Sequence, residues 1–280
     1  MRTISSVKII DMVSMLCLKA NTLLREDVYT RLQDAFRSET NKRGKKILSA
    51  IIDNALIAGK ESVAICQDTG MPCVFVEVGQ DVHIAGDLKA AIIAGVERGY
   101  QNGYFRKSIV LDPLKRGAPG LKPPVIHTDI VKGDTLKITV LPKGFGCENK
   151  AQLKMFNPTT GIDQIKQFII DVVKAAGPDA CPPYIVGVGI GGTADYAMYM
   201  AKRALLKHVT SRQSPVTSKI SKLEKELLKE INGLNIGPMG LGGRTTVLAV
   251  NIESYPTHIA GLPVAVNISC HALRAASGIL

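Results

Sequence analysis

Glycine falls where the apolar runs of this chain end, and that pattern limits the folds open to it. Residues 142–150, 184–193 and 235–246 each join a run rich in branched aliphatics to two or more glycines. Lacking a Cβ, glycine lets backbone approach backbone or ligand closely and adopts turns that other residues resist. With 26 glycines, 5% aromatic residues and no tryptophan, the core must be aliphatic and the chain must pass close to something at several points. At 280 residues, 46% hydrophobic and 21% charged, the composition is that of a soluble globular protein with one large domain or two modest ones.

The formal net charge is +11, from 35 Lys and Arg against 24 Asp and Glu, with basic clusters at 41–46 and 219–229. Nucleic-acid binding would call for basic residues interleaved with stacking aromatics, or for a recognition module. The sequence shows neither, so a solvated basic surface or a funnel for anionic substrates is the better reading. Six cysteines lie scattered at 17, 66, 73, 147, 181 and 270, with no Cys-x-x-Cys pair. A disulfide framework does not fit that length and density. Lys8 and Asp11 break the first apolar residues, no signal-peptide core forms, and no apolar run reaches membrane-spanning length. A reducing cytoplasm is the expected location.

Read for periodicity, residues 1–58 predict helices: Leu16, Leu18, Leu23 and Leu24, then Tyr29, Leu32, Ala35 and Phe36, then 47–56, with Gly59 as a C-cap. Residues 74–78 and 82–84 predict two strands about a Gly-Gln-Asp turn, with His83 an exposed strand residue. A helix follows at 88–100, then a proline-rich irregular stretch at 111–124. Strands 125–130 and 136–141 read as a pair around Lys132-Gly133-Asp134. Helices are predicted at 162–176, 194–206 and 220–231, the last with Ser221 and Glu224 in capping-box spacing and Gly233 to stop it. Strands are predicted at 247–252 and 264–268. Hairpin-like pairs do not belong to a purely parallel sheet. The expectation is one α/β domain over 1–280, with an N-terminal helical layer (1–58) packed on a mixed β-sheet in a 59–280 core, and no Rossmann topology.

Several stretches carry candidate chemistry. Cys66-Gln67-Asp68-Thr69-Gly70 delivers a soft ligand, an amide and an acid or base at one point. A cysteine in an apolar run reads first as core, but Gln, Asp and Thr directly after it do not fit a core. Arg106 and Lys107, after Tyr104-Phe105, fit a solvated loop or a two-pronged carboxylate clamp. Gly144-Phe145-Gly146-Cys147-Glu148-Asn149-Lys150 fits a tight turn or a set of exposed amides suited to an anion. Gly187, Gly189 and Gly192 match G-x-G-x-x-G after a strand. The dinucleotide reading also needs a second strand ending in an acid about 20 residues on, and the window 208–215 offers neither. A glycine-rich helix start that holds an anion survives. Cys66, Cys181 and Cys270 lie at the borders of apolar runs, 115 and 89 residues apart. Zinc sites normally show a short-range pair. Three thiolates without a local fourth are what a 4Fe–4S cluster with one open iron needs, and such an iron can act as a Lewis acid.

The stretches Cys66-Gln67-Asp68-Thr69-Gly70, Gly146-Cys147-Glu148-Asn149-Lys150, Cys181-Pro182-Pro183-Tyr184 with Gly189-Ile190-Gly191-Gly192-Thr193, and His258-Ile259-Ala260-Gly261-Leu262-Pro263 through Cys270 resemble class I, iron–sulfur-dependent fumarate hydratases. The resemblance covers nearly the whole chain in the right order and is to the alpha subunit of the two-subunit forms. L-tartrate dehydratase alpha subunits share these motifs. The resemblance implies a 4Fe–4S cluster on Cys66, Cys181 and Cys270, with Gln67 and Asp68 beside the open iron and the substrate. It further implies that Arg106 binds a substrate carboxylate, that the Gly144 to Gly146 loop offers its amides, and that His258 lies near the active site. It implies a beta subunit supplying the proposed base, and dimerisation of the alpha subunit to give a heterotetramer. The family often has Ser where this chain has Cys147. Two further classes account for part of the sequence: a non-catalytic iron–sulfur scaffold has no need of Gln-Asp beside a cysteine or of an Arg clamp, and a basic nucleic-acid-binding protein leaves the glycine loops unexplained.

Overall fold

The computed structural model describes residues 2–209 and 218–280. Residues 210–215 of the window tested for a second dinucleotide strand lie outside the described residues. In chain order the elements are β1 (Arg2–Ser5), α1 (Ser6–Thr22), α2 (Glu26–Ser38), α3 (Lys42–Glu61), β2 (Met71–Gly79), β3 (Val82–Ala85), α4 (Leu88–Asn102), β4 (Val125–Val131), β5 (Leu136–Lys143), α5 (Phe145–Glu148), β6 (Gln152–Phe156), α6 (Ile162–Ala176), β7 (Tyr184–Gly191), α7 (Ala194–Ala204), α8 (Lys219–Asn232), β8 (Val247–Tyr255), β9 (Leu262–Ser269) and β10 (Ala276–Ile279). A short 3₁₀ turn occupies Pro238–Gly240. The mixed α/β class holds, with mixed sheets. The chain forms two compact units, one of Met1–Arg25, Ala55–Phe145 and Arg274–Leu280, the other of Glu26–Asn54 and Gly146–Leu273.

In the first unit a four-stranded sheet runs in the order β10-β5-β2-β4. Neither expected hairpin forms. β2 pairs with β4 in parallel and with β5 antiparallel, so it separates the two strands expected to pair with each other. β3 pairs in parallel with β1, which the helical reading of residues 1–58 had missed. β2 is central because Cys73 through Val76 are buried on both its faces. Its exit turn is engaged elsewhere: Gly79, Gln80 and Asp81 donate their amides to the carbonyls of Thr135, Val131 and Gly133 at 2.8, 2.9 and 3.0 Å. β3 therefore turns away from β2. Helix α1 buries Ile9, Val13, Leu16 and Cys17 against Ile92, Val96 and Tyr100 of α4 and against the sheet residues Val74, Ile138 and Val140.

The second unit holds a four-stranded sheet in the order β6-β9-β7-β8, with β7 parallel to β8 and antiparallel to β9. Successive strand residues face opposite sides, and β7 alternates accordingly. Val186 and Val188 join the cluster formed with α6 and α8, through Ile169, Val173, Leu227 and Ile231. Gly187 and Gly189 face α7, where a Cβ would drive into the carbonyl oxygens of Ala201 and Ala197. The G-x-G spacing thus serves helix-on-strand packing, which Ala197, Ala201 and Ala265 complete.

Two caps differ from expectation. α3 runs through Gly59 to Glu61, and Ser62, at φ 55°, makes the left-handed exit. α8 starts at Lys219, so Ser218 is its N-cap and exchanges bonds with Ser221 at 3.1 and 2.9 Å. Glu224 instead accepts from the Ile252 amide at 2.7 Å. No helix among the described residues is long and apolar enough to cross a membrane.

Two stability predictions follow from these cores. Gly189→Ala must displace α7 from the sheet and should cost about 1–3 kcal/mol, as overpacking does, read as a lower urea midpoint. Burial pushes the Cys17 thiol from 9.0 up to about 12. Between those values the unfolded chain has lost the proton and the folded chain keeps it, so this thiol makes stability fall as pH rises from about 9 to about 12. Denaturation of Cys17→Val across that range should show a shallower alkaline loss than wild type.

Candidate active site

In the first unit, α3 ends and an irregular segment carries Cys66 to Gly70 into β2. The Asp68 carboxylate accepts from two backbone amides, Gly70 at 3.0 Å through Oδ1 and Phe145 at 2.9 Å through Oδ2. The amide set read in the 144–146 loop therefore holds, in part, the chain's own carboxylate. A Cβ on Gly144 would stand 3.2 Å from Asp68 Oδ2, tighter than ordinary contact. Thr69 is buried, and its hydroxyl accepts from the Arg106 amide at 3.1 Å while lying 3.4 Å from the Arg106 carbonyl. Those bonds hold the Arg106 backbone beside the Asp68 turn, with Arg106 itself exposed. Tyr100 donates to the Thr69 carbonyl at 2.8 Å, and Arg274 Nη2 donates to the Asp68 carbonyl. Gln67 is exposed, its Oε1 3.5 Å from the half-buried Cys66 sulfur.

In the second unit, Gly146 opens the stretch that holds the Cys181 loop. The buried Cys147 thiol donates to the Ala180 carbonyl at 3.4 Å, and Lys150 pairs with Asp179 at 3.0 Å. The Cys147 thiol is thus a packed, structural group. Glu148 is taken up by Lys202 at 2.6 Å and Asn267 at 3.1 Å. Cys270 follows β9, and its neighbour His271 binds the Cys181 carbonyl through Nδ1 at 3.0 Å. This unit therefore brings together the chain segments around Cys181 and Cys270. His258 is exposed in the β8–β9 loop and accepts from the Ala260 amide through Nδ1 at 3.1 Å. At the start of α7, the Asp195 carboxylate is held below its usual range, first by the Thr193 hydroxyl and then by backbone amides of the same turn.

None of the six cysteines is disulfide-bonded, and they fall into two sets: Cys17, Cys73 and Cys147 are buried, while Cys66, Cys181 and Cys270 are half-exposed. The second set is the expected ligand set. Three soft, accessible thiols on irregular chain match the donor chemistry of an iron–sulfur cluster. Among the described residues, no three His, Cys, Asp or Glu side chains stand close enough to hold a metal ion. Arg274 and His271 escaped the sequence reading, since each acts on a residue remote in the chain.

The family Fumarate hydratase (Fumerase) matches residues 10–278. A Methanocaldococcus jannaschii protein provisionally named L(+)-tartrate dehydratase subunit alpha is 41% identical over 278 residues, covering 96% of each chain. The L(+)-tartrate dehydratase subunit alpha of Escherichia coli strain UTI89 is 31% identical over 271 residues, covering 95% of this chain and 89% of that one.

The burial pattern predicts which thiols react. Brief alkylation of the native, reduced, metal-free chain, followed by peptide mass spectrometry, should label Cys66, Cys181 and Cys270 well before Cys17, Cys73 and Cys147. Equal labelling of both sets would contradict the division.

Proposed function

We infer the function of this chain from a family premise: it belongs to the fumarate hydratase (Fumerase) family. The proposal is that it is the alpha subunit of an iron–sulfur hydro-lyase, with Cys66, Cys181 and Cys270 holding a 4Fe–4S cluster and a beta subunit completing the site. The observation that carries it is the division of the cysteines, since the three that the motifs single out are the three half-exposed ones. The reaction proposed is reversible dehydration of (S)-malate to fumarate. L(+)-tartrate is the second reading, favoured by the names of the two relatives.

Dehydration removes hydroxide from C2 and a proton from C3. Hydroxide leaves poorly, and the cluster, when bound, supplies a Lewis acid for the C2 hydroxyl. This chain's own residues orient the substrate. The Arg106 guanidinium is exposed and can meet a carboxylate in two-pronged geometry. Asp68 is fixed by two amides, and each of its oxygens keeps a second lone pair to accept a bond from the substrate hydroxyl. Gln67 offers an amide beside Cys66, and Gly144 and Gly146 border the same loop. His258, with Nδ1 engaged by the Ala260 amide, is left with Nε2 to hold or pass a proton. The C3 base belongs to the partner in this reading. Alpha-subunit dimerisation to a heterotetramer is part of the same proposal, and the surplus of +11 suits a dicarboxylate substrate.

The test is anaerobic reconstitution of the chain with and without its beta subunit, followed by assay on malate and on L(+)-tartrate. Activity should appear only with the partner. Asp68→Asn and Arg106→Ala should each lower kcat/KM by on the order of 100-fold. Full dehydration by the isolated chain, or none on either substrate with the partner present, would overturn the proposal.

A further inference from the structure

Cys181 stands at φ 57°, a left-handed conformation uncommon outside glycine, Asn and Asp. Such a residue persists only where its surroundings hold it. Around it three successive carbonyls are each bound from a different place in the chain. Ala180 accepts from the Cys147 thiol at 3.4 Å, and Pro182 accepts from the Met239 amide at 2.8 Å. Between them, the Cys181 carbonyl itself accepts from His271, through the ring Nδ1 at 3.0 Å and from its backbone amide at 3.5 Å. Of these three anchors, His271 alone comes from the segment that carries Cys270.

A carbonyl oxygen can only accept, so Nδ1 must carry the hydrogen, and the neutral ring keeps its lone pair on Nε2. Nδ1 is therefore committed to the backbone rather than open to a metal. We propose that His271 is a positioning residue. It ties the peptide of Cys181 to the residue next to Cys270, and so presets two thiols 89 positions apart in the sequence before any metal arrives. The inference rests on the iron–sulfur reading of these cysteines. Groups that orient metal ligands in this way typically carry 10–100-fold of metal affinity.

The probe is Cd²⁺ titrated anaerobically into the reduced full chain, followed by cadmium–thiolate absorbance. Loss of uptake in Cys181→Ser and Cys270→Ser identifies the thiols. His271→Ala should then weaken binding about 10- to 100-fold, while circular dichroism shows the fold retained. His271→Asn, whose side-chain amide nitrogen can stand where Nδ1 does, should recover most of the loss. If His271→Ala melts before it can be titrated, His271→Asn against His271→Gln decides, since Gln reaches toward the Nε2 position. The inference requires Asn to bind tighter than Gln. Equal binding by the variants and wild type overturns the positioning role alone. Uptake unaffected by Cys181→Ser and Cys270→Ser overturns the ligand reading, and this inference with it.

Discussion

The bond pair from Gly70 and Phe145 to the Asp68 carboxylate closes one end of the first unit's sheet. β2 begins at Met71 directly opposite Lys143, where β5 ends. The segment entering β2 and the segment leaving β5 would otherwise diverge at that edge, and Asp68 links them through one amide on each side. The backbone beneath is fixed just as firmly. Tyr100 holds the carbonyl of Thr69, Arg274 that of Asp68, and the Thr69 hydroxyl the amide of Arg106. Arg274 is 4% exposed, and its Nε and Nη1 have no hydrogen-bond partner among the described residues. A buried guanidinium left partly unsatisfied is costly. Its one bond is directed at the residue proposed to meet the substrate hydroxyl.

The second unit uses a different device for the same end. Small residues let α7 lie against β7, which leaves the strand's valines to build the larger cluster on the other face. Rigid strands then deliver two short polar segments, one before β7 with Cys181 and one after β9 with Cys270. Both remain half-exposed while Cys147, which precedes both in the sequence, is packed away. Burial of this kind separates thiols that can meet a metal from thiols that only pack.

Legibility in the sequence followed the range of the interactions involved. α6 was read to the residue, because its apolar positions repeat over four turns and nothing tertiary contradicts them. The strand pairing was misread, since β2 carries no local mark that it would sit between β4 and β5. β6 escaped because Gln152 to Met155 are exposed on both faces of an edge strand, so no alternation appears. β1 and β10 are short strands, and three of the four residues of β10 are small. The Cys66 to Gly70 motif was legible because five adjacent residues carry its chemistry. Arg274 and His271 were not, as their partners lie 206 and 90 residues away.

The most direct measurement of the central claim is the iron and acid-labile sulfide bound per chain after anaerobic reconstitution of single cysteine variants. The account predicts that Cys66→Ser, Cys181→Ser and Cys270→Ser each lose the cluster, while Cys17→Ala and Cys73→Ala retain wild-type iron and sulfide. Retention of a full cluster in any of the first three would contradict it.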